Sequence, residues 1–471
     1  MNFEKLTTKF QQAFNDAQSL ALGNENHVML PYKLSNYLIV LLICFPIAYY
    51  FYLINLFAVN IPLQDDYGTI IRFMNNYFAT AADKLSLLFS QTGNEHRLAF
   101  NRFVVLALYS IFNEVNFKLL IFIGNIGLLF LFILLFKISQ LRSKLPVFIG
   151  CAFLLFQIEH WESMTWAMAA LSNYYVLLFA LLSIYCLQQK SVSGFYLSIL
   201  LGIIATYTNG NGLFVLYINF MSLIIDHSSD RKATNLLDMS RYYFVIYGIT
   251  TAIVTLLYFL NYSKTGHHDA MSAIVIMPLF FIKHFLLMLG SGFALENPMI
   301  GIVVGITIVL LTSWLGYTQY FQRNPSLFYF LLFMLVSVLV ASLTRAGFGV
   351  LEQALSSRYR LYSVLIVILL AVSLLEHLEI YRLINRYILI IFIGLSISFS
   401  LYSFNKNTEL LANRQHFLVT AIRHIVLREY TEFAKLTHAK DPKRVMDNLQ
   451  QAIDHGYYQI PAQYLPTPKL P

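Results

Sequence analysis

The sequence predicts an all-α, polytopic membrane protein with about 11 transmembrane helices, interfacial helices in its first outer loop and a small helical C-terminal extension. Three observations carry this reading. Of 471 residues, 58% are hydrophobic and only 12% are charged, where a soluble domain has roughly 45–50% and about 25%. Apolar runs long enough to cross a bilayer recur along the chain. Lys and Arg gather in short connections between those runs, the arrangement that sets membrane orientation. The net charge of +8 therefore calls for anionic lipid and no nucleic acid. Cys44, Cys151 and Cys186 all lie in apolar runs and read as small buried hydrophobes.

Residues 1–34 read as a cytoplasmic amphipathic segment, with Phe3, Leu6, Phe10 and Phe14 at helical spacing; a frayed tail is the alternative. The first apolar run is too long for the core of a cleavable signal peptide. A transmembrane domain is expected over 35–404. Its first span, 35–59, leads into an outer loop, 60–116. Segment 98–113 is apolar but short and is read as lying in the outer leaflet. The next spans are 117–136 and 145–157, joined by a cytoplasmic loop with Lys137, Arg142 and Lys144. Trp161 and Trp166 suit an interfacial belt.

Spans 171–187 and 194–207 follow, the latter stopping at Thr208-Asn-Gly-Asn-Gly212, read as a tight turn needing φ > 0. Further spans run to Ile225 and over 242–260. Segment 271–294 is interrupted by Lys283 and His284; if it crosses, about twelve spans put the C-terminus inside, and if it lies in the outer interface, the preferred reading, about eleven put it outside. Four spans remain: 301–316, 327–343, 361–375 and 387–404. This parity puts Arg345, Arg358 and Arg360 on the outer side with Asp65 and Asp66. Residues 405–471 form a helical outer-face subdomain, with a helix start at Asp441-Pro442 and a Pro-rich end.

Three constellations can carry chemistry. Asn60-Ile-Pro-Leu-Gln-Asp-Asp-Tyr67 opens the first outer loop. Ionisable groups at a membrane boundary are functional or solvated. One carboxylate of Asp65 and Asp66 can take a proton from an acceptor hydroxyl while the other orients groups or helps to hold a divalent cation, Mg or Mn. The plain alternative is an acidic cap on the following helix. Asn94-Glu95-His96-Arg97 lies in the same loop. There Arg97 or His96 can bind a phosphate, and Glu95 can fix the imidazole or join Asp66 at a metal. Arg345-Ala-Gly-Phe-Gly and Ser357-Arg-Tyr-Arg360 present Arg345 and Arg358, whose planar forks suit phosphate oxygens, beside Tyr359; snorkelling to lipid headgroups competes. Tyr67 and His160 are weaker substrate-binding candidates. Glu159, Glu162 and the His267-His268-Asp269 turn read as structural. There is no P-loop, GxGxxG, CxxC or HExxH pattern, so nucleotide chemistry has no support.

This layout resembles the GT-C superfamily of integral membrane glycosyltransferases: a first span, a long outer loop opening on an acidic pair, interfacial helices, then a second span. Protein O-mannosyltransferases and aminoarabinose transferases have an acidic motif in that position, and Arg345-Ala-Gly-Phe-Gly with Ser357-Arg-Tyr is similar to a pattern in uncharacterised bacterial members. The resemblance covers about 35–404 in layout. It implies a polyprenyl-phosphate sugar donor, a glycan or glycolipid acceptor, an aspartate base, inversion at the anomeric carbon, and an active site facing the periplasm from a bacterial inner membrane. The chain departs in having Asp-Asp where several relatives have Asp-Glu, and in lacking a large C-terminal sugar-binding domain. A lipid-linked saccharide transporter would place charges in mid-span cavities and often shows repeats. A polysaccharide polymerase or ligase would lean on Arg and His.

Overall fold

The computed structural model describes residues 32–80, 83–92, 96–229, 237–263, 277–380, 386–437 and 441–464. The amphipathic N-terminal stretch before Tyr32, Glu95, the Arg231–Lys232 and Arg382 connections, the His267-His268-Asp269 turn and the tail after Tyr464 lie outside the described residues. Two compact units are present, 1–42 and 43–471. The first contributes the beginning of helix Tyr32–Phe57. All that follows concerns the second.

The protein is an all-α multi-pass membrane protein. Among the described residues, eight helices are long and apolar enough to cross a membrane, and five apolar helices are shorter. Every expected span has a helix at its place. Three of them are short: Lys144–Leu155, Val192–Thr206 and Leu213–Ser229. The other short apolar helices, Ala99–Phe112 and Pro278–Gly290, fall on the two segments read as interfacial.

Helix Phe117–Ile138 sets the scale. Its 22 residues extend about 33 Å at 1.5 Å per residue, close to the roughly 30 Å hydrocarbon core. The Asn116 side chain caps it by accepting from Leu119 N at 3.0 Å. Its first turn is held by Asn60, whose Oδ1 accepts from Phe117 N at 2.7 Å. Near its other end the Ile138 carbonyl faces Asn324 at 3.3 Å, and Asn324 also bonds Glu376. One end of the molecule thus carries the 60–116 loop. The other gathers Lys137, Arg142, Lys144 and Arg323, with Gln140 Nε2 donating to the Arg323 carbonyl at 2.9 Å.

The centre is helix Ala167–Gln188. It packs on Phe117–Ile138, on Val192–Thr206 and on Pro325–Ala346, and Ala170, Leu171, Tyr174, Leu177 and Leu181 are fully buried along it. Small residues allow the close approach. A Cβ on Gly124 would meet the Ala170 Cβ at 2.5 Å. The Lys144–Leu155 helix has 12 residues, about 18 Å, so the chain turns at Phe156–His160 well before a full crossing. Such irregular backbone is tolerated at depth where protein surrounds it, and Phe156, Gln157, Ile158, Glu159 and His160 are all buried.

Two expectations are corrected here. The boundary expected at 404/405 falls inside one helix, Arg386–Val426, of 41 residues. The composition turns polar after Phe404, but no Pro or Gly interrupts 405–426, so nothing stops the helix. The C-terminal residues are also no separate subdomain. Helix Pro442–Asp454 packs on Tyr67–Ile71 and Arg72–Ala79 of the first loop. Asn75 Nδ2 donates to the Asn448 carbonyl at 2.8 Å, Tyr458 OH to the Asn60 carbonyl at 2.8 Å, and Val115 N to the Tyr457 carbonyl at 2.8 Å. Among the cysteines only Cys151 is buried; Cys44 is exposed and Cys186 half-buried. Trp166 is buried rather than belted at an interface.

Candidate functional site

A cavity of about 390 Å³ opens at the end of the molecule that carries the first loop. Asp65, His96, Arg345, Arg358 and Tyr359 all line it. Three stretches far apart in sequence meet there.

Asp65 and Asp66 have different surroundings. Gln64 just before them is left-handed, with φ of 45°. Asp66 is 1% exposed and does not line the cavity. Its Oδ2 accepts from Leu63 N at 3.0 Å and its Oδ1 from Met168 N at 2.9 Å. Burial pushes its carboxyl up to about 7, against the pull of those two N–H groups. Asp66 therefore ties the loop to the central helix, outside the cavity lining, and it does not cap the following helix with its side chain. Asp65 is half-buried and lines the cavity. The chain continues as a π-helix, Tyr67–Ile71, a form often found beside functional sites. Tyr67 is half-buried and stands outside the cavity lining.

The arginines also divide. Arg97 is committed to three backbone carbonyls, of Phe89, Tyr258 and Leu260, and does not line the cavity. It ties the loop to the end of helix Leu237–Phe259 instead of binding phosphate. Arg102, unremarked in the sequence reading, is buried and donates to the carbonyls of Leu87, Leu88 and Ser90 at 2.8–2.9 Å. It neutralises the end of helix Lys84–Phe89. Arg345 and Arg358 line the cavity, and among the described residues neither has a carboxylate partner. Arg345 Nε donates to Tyr359 OH at 2.9 Å, and the Arg358 guanidinium lies 5.3 Å from the Tyr359 ring centre.

The Glu159–Glu162 turn holds the helix that presents those residues. Glu162 Oε2 accepts from Arg358 N at 3.1 Å and from Ser356 Oγ at 3.0 Å. Ser357 Oγ donates to the Glu159 carbonyl at 2.8 Å. The Glu159 carboxylate pairs with Arg360 and accepts from Asn407 Nδ2 at 2.8 Å. Arg414 reaches Glu162 Oε1 at 3.6 Å and lies 4.5 Å from the Trp161 ring centre. These pairs hold Arg360 and Arg414 at the cavity end. His160, expected to touch substrate, is fully buried, stands outside the cavity lining and meets Tyr50 OH at 3.2 Å. The candidate Asp66–Glu95 metal pair lies partly outside the described residues. Both oxygens of Asp66 accept backbone N–H groups, and Glu95 is outside the described residues. Among the described residues no group of three or more His, Cys, Asp or Glu is gathered.

The sequence reading missed a polar wall. Asn173, Asn209, Asn211, Ser337 and Tyr362 also line the cavity. Asn209 Nδ2 donates to Asn173 Oδ1 at 3.1 Å, and Asn211 Nδ2 to Tyr362 OH at 3.0 Å and Ser337 Oγ at 3.2 Å. The signal was present in Thr208-Asn-Gly-Asn-Gly212, but it was read as a turn needing φ > 0. Neither glycine has positive φ. They supply space. A Cβ on Gly212 would lie 2.0 Å from the Ala205 carbonyl oxygen, and one on Gly210 would crowd Tyr258 OH at 2.8 Å and His96 Nδ1 at 3.0 Å.

No family model matches the chain, and neither does any curated protein or solved structure.

Proposed function

We propose that the protein is a membrane glycosyltransferase of the GT-C kind. It moves a sugar from a polyprenyl-phosphate donor to a glycan or glycolipid acceptor, with inversion at the anomeric carbon. The observation that carries this reading is one cavity whose lining, among the described residues, holds one carboxylate, Asp65, and two arginines, Arg345 and Arg358, whose guanidinium groups have no carboxylate partner among those residues. Sugar transfer asks for those two functions. Asp65 takes the proton from the acceptor hydroxyl as the new C–O bond forms. The bond from the anomeric carbon to the phosphate oxygen breaks, and the polyprenyl phosphate leaves with the electron pair. Arg345 and Arg358 stabilise the charge that develops on it. Asp66 is a positioning residue, holding the Asp65 loop against Met168.

The same geometry supports an orientation. Lys137, Arg142, Lys144 and Arg323 collect at the end away from the cavity, and the positive-inside rule assigns that end to the cytoplasm. In a bacterial inner membrane the cavity then faces the periplasm.

The test is transfer of radiolabelled sugar from polyprenyl-phosphate donors by purified protein, with membrane glycan and lipid extracts offered as acceptors. Asp65→Asn is expected to lower transfer by about 10²–10⁴-fold, the usual contribution of a general base. Arg358→Ala should lower it too, and Arg97→Lys far less. Full activity in well-expressed Asp65→Asn protein would sink the mechanism.

A further inference from the structure

We infer that the Asn173–Asn209 and Asn211–Tyr362–Ser337 wall is a subsite for the sugar ring of the donor, and that this sugar is neutral and rich in hydroxyls. The inference rests on the donor reading above and adds the chemical class of the sugar.

The wall is built from three helices and a turn that lie far apart in the sequence. Asn173 comes from helix Ala167–Gln188, Asn209 and Asn211 from the Asn-Gly turn, Ser337 from Pro325–Ala346 and Tyr362 from Ser357–Ile380. None of these side chains is charged. A sugar carboxylate bound there would ask for an Arg or Lys, and a sugar ammonium for an Asp or Glu; buried charges need such partners. Amides and hydroxyls both donate and accept, as sugar hydroxyls do.

The amides are also pre-set. Asn211 is fixed by Tyr362 and Ser337, and Asn209 by Asn173, which in turn donates to Ser163 Oγ at 3.2 Å. The Asn211 carbonyl oxygen is buried with no partner among the described residues. Turning the amide over would satisfy that oxygen and strand the NH₂ group instead. Either way one polar end of the Asn211 amide is buried without a partner among the described residues, and a sugar hydroxyl that draws the amide toward the cavity would supply one, which an analogue lacking that hydroxyl would not.

Gly210 and Gly212 make the wall possible. The Gly212 contact with the Ala205 carbonyl brings the turn onto the end of helix Val192–Thr206, and Gly210 leaves room for His96 and Tyr258 beside it. Arg345 and Arg358 line the same cavity, so a phosphate on the arginines and a ring on the amides belong to one ligand.

The experiment measures binding, not turnover. Purified full-length protein in detergent is titrated with a short polyprenyl phosphate and with its glucosyl, glucuronosyl and glucosaminyl derivatives. The glucosyl derivative is expected to bind about tenfold tighter than the bare lipid phosphate, and the two charged derivatives no tighter than it. Asn211→Leu should remove the glucosyl advantage and leave the bare lipid affinity unchanged, which also shows that the site is folded. Asn209→Ala serves if the Asn211 variant loses bare-lipid binding. If bare lipid binds and glucose adds nothing, or a charged sugar adds more, the sugar subsite is overturned and the donor reading stands. If bare lipid does not bind, the donor reading falls and takes the subsite with it.

Discussion

Asp66 shows how much of the cavity's first loop hangs on one buried carboxylate. Its oxygens accept from Leu63 N and from Met168 N, 102 residues further on. Burial raises its carboxyl from 3.8 to about 7. A group raised in the folded state binds its proton more tightly there than when unfolded. The stability it adds is complete below the unfolded value and is lost as pH rises through the folded one. Between about pH 4 and pH 7 the protein should therefore lose stability at a slope of about 1.4 kcal/mol per pH unit from this residue alone. In Asp66→Asn that slope should vanish, whatever the absolute Tm. Thermal unfolding in detergent across that range reads it; an unchanged slope in the variant would show that Asp66 does not titrate there. The acidic pair was legible in the sequence because charge beside an apolar run stands out. Which member faces the cavity was not, because Met168 decides it and lies far along the chain. Arg97 and His160 misled for the same reason. Residue type advertises a charge, but the carbonyls around Arg97 and the Tyr50 hydroxyl beside His160 come from other elements.

At the level of helices, the sequence marks where several of them begin. Asn297-Pro298, Asn324-Pro325 and Asp441-Pro442 each place a capping side chain before a proline at the first helical positions. It also hides a packing device. Gly301 and Gly305 stand four apart on helix Pro298–Tyr317 and press against Pro278–Gly290. A Cβ on Gly305 would lie 2.0 Å from the Leu286 carbonyl oxygen, and one on Gly290 would lie 1.9 Å from that of Gly301. Backbone cannot yield as a side-chain tip can, so these are contacts between helices that only glycine permits. Gly305→Leu should destabilise the protein by about 1–3 kcal/mol, the usual cost of overpacking. Gly394→Leu is the control, since a Cβ there meets nothing within 4 Å. Equal Tm values for the two variants would refute the close packing. Small residues carry no periodic apolar signal, which is why this contact escaped a reading by hydrophobic runs, while the helices themselves did not.

On the scale of the molecule, the C-terminal residues matter because of what they cover. Helix Pro442–Asp454 sits on the π-helix that follows Asp65 and Asp66, and Tyr457 and Tyr458 bond back to Val115 and Asn60. The first loop and the chain's end must then share one side of the membrane, as the parity of spans in the sequence requires when 271–294 does not cross. The opposite side carries the Arg142 loop, whose backbone N–H reaches the Glu379 carboxylate at 3.2 Å. These placements can be read with single cysteines in a background of Cys44→Ala, Cys151→Ala and Cys186→Ala. Gln450 and Gln64 are exposed near the cavity end, and Arg142 is exposed at the other. In intact right-side-out cells a membrane-impermeant thiol reagent should label Gln450→Cys and Gln64→Cys. Arg142→Cys should react only after the membrane is opened. Labelling of Gln450→Cys and Arg142→Cys from the same side would break the arrangement, because a helix extending about 33 Å and packed at both ends separates them. Labelling of all three from the cytoplasmic side alone is ruled out by the same helix. If instead only Arg142→Cys is labelled in intact cells, the fold stands inverted, and the cavity with Asp65, Arg345 and Arg358 opens to the cytoplasm, against the orientation proposed above.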